Sequence, residues 1–256
     1  SFGPIGWNRL GNDIDGEAPG DRSGYSVAMS GDGTRIVIGA IYNDGTTGVN
    51  DDKRGHVRVY DRDTTETIGW KKVGGDIDGE NNLDESGYSV AINSIGTIIA
   101  IGAPKNNRTT SWNIWTATGH VRVYKYDDTK TNAVTDQTSS SFGPIGWNRL
   151  GNDIDGEAPG DLSGESVAIS DDGTRIAICA PYNDVNDSSN SSKGHVRVYD
   201  YDTTNGWRQV GSDIDGEDTY NYFGSSIAMS SNGLKIAIGA KGANNDNGLV
   251  RVFELL

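Results

Sequence analysis

The sequence predicts an all-β protein, a β-propeller of four four-stranded antiparallel blades, its ring closed by the N-terminal strand pairing with the C-terminal blade. Three observations lead there. One motif, Gly-Trp-x-x-(Leu/Val)-Gly-x-Asp-Ile-Asp-Gly-Glu, begins at Gly6, Gly69, Gly146 and Gly206, so Trp7, Trp70, Trp147 and Trp207 recur at a blade-sized period. Each copy holds four short β-branched or alternating segments separated by Gly, Asp, Asn and Ser, with no 3.6-residue apolar period. The chain also opens on the last strand type of a copy, Trp7 to Gly11, and closes on the third, Leu249 to Leu255, so each end lacks what the other has.

In order, the strands of a copy are a (Tyr25 to Ser30 in the first), b (Arg35 to Ala40), c (His56 to Asp61) and d (Trp70 to Gly74). Strand a follows Gly24, Gly87, Gly164 and Gly224 and ends in a tight turn at Gly33, Gly96, Gly173 or Gly233. Strand b runs into a variable polar loop, and strand c reads Val-Arg-Val-(Tyr/Phe). The simplest packing is one radial antiparallel sheet per copy, with repeats at about 7–69, 70–146, 147–206 and 207–256 plus the N-terminal strand 7–11, all within one domain, 1–256. Pairing Trp7 to Gly11 with Leu249 to Leu255 hides both exposed edges within one chain, or gives eight blades if two chains join. Residues 1–21 recur unchanged at 141–161, which predicts pseudo-two-fold symmetry.

The motifs Phe223-Gly224-x-Ser-Ile-Ala with Ile238-Gly239-Ala240, and Gly87-Tyr88-Ser89-Val90-Ala91 with Ile101-Gly102-Ala103-Pro104, resemble the FG-GAP repeats of integrin α-subunit propellers and their bacterial and algal relatives. The resemblance touches all four copies and implies an extracellular propeller used for adhesion or ligand display. That family carries its calcium loop, Asp-x-Asp-x-Asp-Gly, in the a to b turn. Here that turn is Ser30-Gly31-Asp32-Gly33-Thr34 and lacks it.

A different loop has calcium-like spacing. Between strands d and a lie Asp13, Asp15, Glu17 and Asp21, then Asp76, Asp78, Glu80 and Asp84, then Asp153, Asp155, Glu157 and Asp161, at relative positions 1, 3, 5 and 9. The fourth copy has Asp213, Asp215 and Glu217, with Asn221 at the ninth place. Hard cations such as Ca²⁺ take several oxygen ligands from a flexible glycine-containing loop, so calcium is the expected cofactor. The competing reading is that these carboxylates cap turns by accepting backbone N–H groups.

His56, His120 and His195 open strand c in three copies, and Leu249 replaces them in the fourth, which points to bonding within a blade rather than to a ring of ligands. The four repeated tryptophans read as core between blades. Trp112 and Trp115 occur once, in a long b to c loop, as candidates to stack on a sugar or seat a partner. Asn107, Asn186 and Asn190 head Asn-x-Ser/Thr triplets and are candidate glycosylation sites. Cys179 reads as a small buried strand residue.

With 22 basic against 36 acidic residues the net charge is −14, which opposes nucleic acid and anionic membranes, and no apolar run is long enough to insert in a bilayer. The missing initiator methionine suggests a processed piece. An enzyme would betray itself by an asymmetric catalytic set, and only Glu165, in place of Tyr25 and Tyr88, is odd. The expected function is therefore a non-enzymatic adhesion or structural scaffold, extracellular or on the cell surface. It would display an acidic, calcium-binding loop face to a protein or glycan and be able to form a homo-oligomer or filament. The alternative is a lectin-like propeller, with a hydrolase third.

Overall fold

The computed structural model describes residues 6–45, 52–107, 116–185 and 191–256. Four antiparallel sheets follow one another along the chain, and the sole helical piece among the described residues is the turn Ala243–Asp246. The first sheet contains β1 (Ser23–Met29), β2 (Arg35–Ala40), β3 (His56–Arg62) and β4 (Trp70–Lys72), with β5 (Ile77–Asp78) pairing to β3. The second has β6 (Ser89–Ile92), β7 (Ile98–Ala103), β8 (His120–Tyr126) and β9 (Trp147–Arg149), with β10 (Ile154–Asp155) on β8. The third has β11 (Ser166–Ile169), β12 (Arg175–Ala180), β13 (His195–Asp202) and β14 (Gly206–Gln209), with β15 (Ile214–Asp215) on β13. The fourth has three strands, β16 (Phe223–Met229), β17 (Lys235–Ala240) and β18 (Leu249–Glu254).

The register repeats with the sequence: Ala40 faces His56, Ala103 faces His120, Ala180 faces His195 and Ala240 faces Leu249. The short strands β5, β10 and β15 arise inside what the sequence reads as plain acidic loops. Their cause is the Ile of Asp-Ile-Asp, which alternation turns inward, so that Ile77 and Ile154 are buried.

The first strands of successive sheets lie beside one another, β1 to β6 to β11 to β16. Between the first two sheets Val37, Val57, Val59 and Val73 pack on Ile99, Ile101, Tyr124 and Trp147, and the same layers recur between the second and third and between the third and fourth. Each fully buried Val or Ile contributes roughly 1.5–3 kcal/mol, so these layers are the main source of cohesion. Close approach requires glycine: a Cβ at Gly102 would fall 2.0 Å from the carbonyl oxygen of Gly164 in the next sheet.

The sheets are also stitched by main-chain bonds between their a to b turns. Gly31 N–H donates to Ser94 O, Ser94 N–H to Asp171 O and Asp171 N–H to Ser231 O. Each turn is held by an Asx-type cap. In the first, Asp32 accepts from the Thr34 N–H at 3.0 Å and the Ser30 hydroxyl at 2.7 Å, and the Thr34 N–H leads in pulling its carboxyl down to about 2.

The arc is open among the described residues. Residues 7–11 pair with no strand, Trp7 is 76% exposed, and Val250 and Val252 of β18 are 70% and 68% exposed, whereas the equivalent Val57, Val59, Val121 and Val123 are buried to 1% or less.

Candidate functional site

The d to a loop of one copy and the b to c loop of the copy before it leave from the same end of the sheets and are knitted by backbone bonds. Ser86 N–H donates to Arg54 O, Ser163 N–H to Thr118 O and Phe223 N–H to Lys193 O. All the acidic-loop residues therefore lie on one face, and the structure sorts them into different tasks.

The ninth-position carboxylates turn inward. Asp21, Asp84 and Asp161 are buried, and each accepts from a loop asparagine at 2.9 Å (Asn43, Asn106, Asn183) and from a main-chain N–H three residues back (Ala18, Asn81, Ala158). This is turn capping. In the fourth copy both partners change together, to Asn221 and Ala243, while the Asn221 carbonyl accepts from the Gly242 N–H as the Asp21 carbonyl does from Tyr42. Burial pushes the Asp84 carboxyl up to about 6 and raises that of Asp161.

The fifth-position glutamates and first-position aspartates meet around the histidines. Glu17, His56 and Asp76 form one group, Glu80, His120 and Asp153 a second, and Glu157, His195 and Asp213 a third, each with its oxygen and nitrogen ligand atoms within 4.8 Å of one another. These groups could hold a metal ion. They join residues of two successive d to a loops to the start of strand c, so positions 1, 3, 5 and 9 of a single loop do not converge on one point.

An arginine two residues past each histidine enters the same space. Arg58 pairs with Glu17 and, at 2.9 Å, with Asp76, while Arg122 lies 2.8 Å from Asp153 and 3.1 Å from Glu80. Burial opposes ionisation of Asp76, Asp153 and Glu80, but the guanidinium outweighs it and holds all three below the usual carboxylate range. The fourth copy, with Leu249 in place of histidine, keeps Arg251 on Glu217 at 2.5 Å.

The third group is less compensated. Arg197 reaches Glu157 at 3.4 Å, and Asp213 takes the Gln209 amide at 2.6 Å. Burial, with repulsion from Asp213, Asp161 and Asp215, raises the Glu157 carboxyl against the pull of Arg197, and burial with repulsion from Asp213 raises Asp215. His195 lies 3.6 Å from Glu157 and 3.8 Å from Asp213, contacts that favour imidazolium. Burial and then Arg197 nonetheless pull it down to about 4, so the ring is neutral at pH 7; burial likewise lowers His56. At exposed Asp13, by contrast, the carboxylate bonds Arg9 at 3.3 Å, and Asp15 is exposed beside it.

A further set of residues on this face was not singled out by motif reading. Arg22, Glu85, Leu162 and Tyr222 all hold left-handed backbone, with φ of 58°, 51°, 54° and 52°. Each sits two residues before the glycine that opens strand a, in a turn closed by an i to i+3 bond (Tyr25 to Arg22, Tyr88 to Glu85, Glu165 to Leu162, Ser225 to Tyr222). Such a conformation costs a non-glycine residue about 1–2 kcal/mol, which the surrounding turn must offset. The Arg22 guanidinium stands 4.1 Å over the Tyr42 ring, Lys105 bonds Glu85 at 2.7 Å, and Tyr222 meets Tyr182 edge-on at 5.3 Å with the Lys241 ammonium 5.3 Å from its centroid. A cleft of about 500 Å³ opens beside Arg22, Tyr42 and Lys53. The available signal was variation itself: Arg, Glu, Leu and Tyr occupy one register between repeated neighbours.

The Tyr25 and Tyr88 rings meet at 5.0 Å, tilted by 53°. Glu165 takes the equivalent place in the third copy; burial raises its carboxyl, and Lys241 approaches to 3.9 Å. Cys179 is fully buried, and burial pushes its thiol far up. Trp112, Trp115, Asn186 and Asn190 lie outside the described residues, and Asn107 is half-buried at the edge of one described segment.

Four sequential antiparallel sheets joined by one repeated acidic loop define a β-repeat protein. Residues 14–60 match the FG-GAP repeat family. No curated protein matches it in sequence. Among solved structures it is similar to a putative 6-phosphogluconolactonase from Bacteroides uniformis, at 12% identity and a TM-score of 0.53 over 90% of this chain. The chain spans about half the length of that protein, and the likeness is one of fold. Among the described residues no helix is long and apolar enough to cross a membrane.

Proposed function

We propose that the chain is a non-enzymatic recognition and scaffold module of a β-propeller, one domain over 1–256, acting in adhesion outside the cell or at its surface. The observation that carries this reading is the rim. One strained turn recurs in four repeats with a different residue in each: Arg22 is exposed and Leu162 and Tyr222 are half-buried, while Glu85 is buried against Lys105. A rigid sheet scaffold with chemically varied loop positions is suited to binding a partner surface. Tyrosine and arginine at such positions are the side chains that dominate binding energies.

A lectin-like use of the same face is favoured by Tyr42, Tyr182 and Tyr222, whose rings stand half-exposed beside cationic groups. A glycan array and a cell-adhesion assay, run on the parent chain and on Arg22→Ala and Tyr222→Ala, separate these uses. Retention of glycans or cells that both variants lose supports the rim, and retention unchanged by either overturns it. Hydrolysis of 6-phosphogluconolactone, lost on changing Glu165 or Lys241, would replace the binding reading with an enzymatic one.

Calcium enters this proposal at the third loop group. Glu157, Asp213 and Asp215 carry like charge that Arg197 only partly offsets, and a divalent cation would relieve it. Extracellular modules bind Ca²⁺ with dissociation constants of about 10⁻⁴ to 10⁻³ M, so titration calorimetry at millimolar calcium is the appropriate measurement. Heat of binding abolished by Asp213→Asn with Glu157→Gln supports the site; no heat removes it.

A further inference from the structure

Three series of contacts run from sheet to sheet; two of them stop with a donor at one end of the arc and its matching acceptor at the other, and the third stops with an exposed apolar face at each end. In the first series an indole N–H donates to the carbonyl that precedes the d-strand glycine of the copy before: Trp70 to Leu10 at 2.9 Å, Trp147 to Val73 at 3.2 Å and Trp207 to Leu150 at 2.7 Å. The next acceptor is Val210, and the tryptophan in register to reach such an acceptor is Trp7, 76% exposed at the opposite end. The second series is the turn-to-turn ladder from Gly31 to Ser231, which ends on the Ser231 N–H and begins on the Gly31 carbonyl.

The third series is apolar. Val57 and Val59 of the first sheet bury their side chains against Ile99, Ile101 and Tyr124 of the second. Their counterparts at the end of the arc, Val250 and Val252, are bare. At the start of the arc Val27 is 69% exposed, whereas its counterparts in the second and third sheets, Val90 and Val167, are partly or fully covered.

An open groove of about 200 Å³ between the third and fourth sheets is lined by Val198, Val210, Ile214, Ile236, Phe253 and Leu255. Val210, Ile236 and Phe253 are the counterparts of Val73, Ile99 and Tyr124, the residues around Trp147. The groove is therefore a tryptophan seat, and the segment 1–21 is identical to 141–161, which contains Trp147.

We infer that two copies of the chain join end to end into one closed ring of eight sheets, with Trp7 of each copy seated in the groove of the other. This rests on reading the four sheets as an arc of radial blades. Residues Trp7 to Arg9 run along Phe253 to Leu255 of the second copy, as Trp147 to Arg149 run along Tyr124 to Tyr126, and complete its three-stranded fourth sheet. Ser231 N–H then meets the other copy's Gly31 carbonyl, and Val250 and Val252 cover its Val27. Both joints are equivalent about a two-fold axis, so the assembly closes instead of growing into a fibre. A second copy is favoured over closure within one chain because the apolar faces at the two ends of the arc, Val27 at one and Val250 with Val252 at the other, stay exposed in the single copy.

Sedimentation equilibrium and native mass spectrometry on the 256-residue chain test this. The parent chain is expected at twice its monomer mass. Val252→Lys and Val27→Glu, both at positions exposed in the single copy, are each expected to weaken association by about a hundredfold. Mixing the two variants restores one parent joint and sets the introduced glutamate against the introduced lysine at the other, so dimer returns in the mixture and in neither variant alone. A parent chain that stays monomeric, a Val252→Lys variant that stays dimeric, or a mixture that shows no recovery overturns the assembly. A monomer leaves the rim reading standing, because Arg22 and Tyr222 are assayed within one copy.

Discussion

The indole N–H of Trp147 donates to the main-chain carbonyl of Val73, 74 residues earlier and one sheet away, at 3.2 Å in a fully buried site. A single side chain thus fills the layer between two sheets and satisfies a backbone acceptor that water cannot reach. Trp147→Phe keeps most of the apolar contact but orphans that acceptor, and is expected to lose about 1–2 kcal/mol. Trp147→Ala also opens a cavity and is expected to lose about 3–5 kcal/mol. Urea denaturation of both variants checks the order; an equal loss would mean that the ring contact contributes nothing beyond the hydrogen bond, and a Trp147→Phe variant as stable as the parent would mean that the hydrogen bond contributes nothing.

The Arg35 side chain ties two sheets in another way. It grips Asp61 through Nε and Nη2 at 2.5 and 2.7 Å, donates from Nη1 to Gly96 O at 2.8 Å, and stacks 4.4 Å over the Tyr126 ring. Arg175 repeats the grip on Asp200 and Gly233 O, while Ile98 takes the place in the second copy. A lysine keeps the charge but neither the fork nor the flat face. Arg35→Lys is therefore expected to lower the melting temperature by several degrees, equivalent to about 1–2 kcal/mol, with Arg175→Lys alike. A melt unchanged in both would show these grips to be solvent-compensated.

Much of this architecture is legible in the sequence because a repeat states the same local rule four times. The glycine-closed turns and the Val-Arg-Val strands each mark an element that the structure places, and so do Trp70, Trp147 and Trp207, whereas Trp7 to Gly11 forms no strand. The site was less legible, since its residues are joined across copies: Glu17 meets Asp76 through His56 and Arg58, and no spacing within one loop announces that meeting. The arginines were hidden in plain view inside a strand motif, where alternation aims Arg58 and Arg122 at the loops while Val57 and Val59 fill the core. Left-handed Arg22 and Tyr222 were missed because their type varies, which is the opposite of what a motif search rewards.

Asp84 makes the turn-capping role measurable. Its ordinary carboxyl would titrate near 3.8, and burial, helped by repulsion from Glu80, lifts it to about 6 against the hydrogen bonds from Asn106 and the Asn81 N–H. Between those values the folded state holds a proton that the unfolded chain has released, so stability is full below about 3.8 and is lost as pH rises toward about 6. Asp84→Asn stays neutral throughout and keeps an acceptor for the Asn81 N–H, as Asn221 occupies this register in the fourth copy. Relative to the parent, the variant is expected to gain about 1–3 kcal/mol between pH 4 and pH 7, read from urea midpoints along that range. A gap that does not change with pH would show that Asp84 is ionised throughout.

His195 should impose the reverse slope. Its ring, 2% exposed, is held neutral by burial and by Arg197, with a folded value of about 4 against an ordinary 6.5. Above 6.5 neither state binds the proton; between 6.5 and 4 the unfolded chain takes it up and the folded chain does not. Stability is therefore full above pH 6.5 and is lost as pH falls toward 4. His195→Leu copies the fourth repeat, where Leu249 opens the strand and Arg251 still holds Glu217, so the variant has a working precedent in the same chain. Its stability at pH 7 is expected within about 1 kcal/mol of the parent. Its decline from pH 7 to pH 4.5 is expected to be shallower by about 2 kcal/mol, the part of the parent's acid loss that belongs to this ring. Chemical denaturation at the two pH values measures both. A steeper decline in the variant would mean that Glu157 and Asp213, at 3.6 and 3.8 Å, hold His195 as the imidazolium after all, and that the third group is an ion cluster rather than a neutral ring among paired charges.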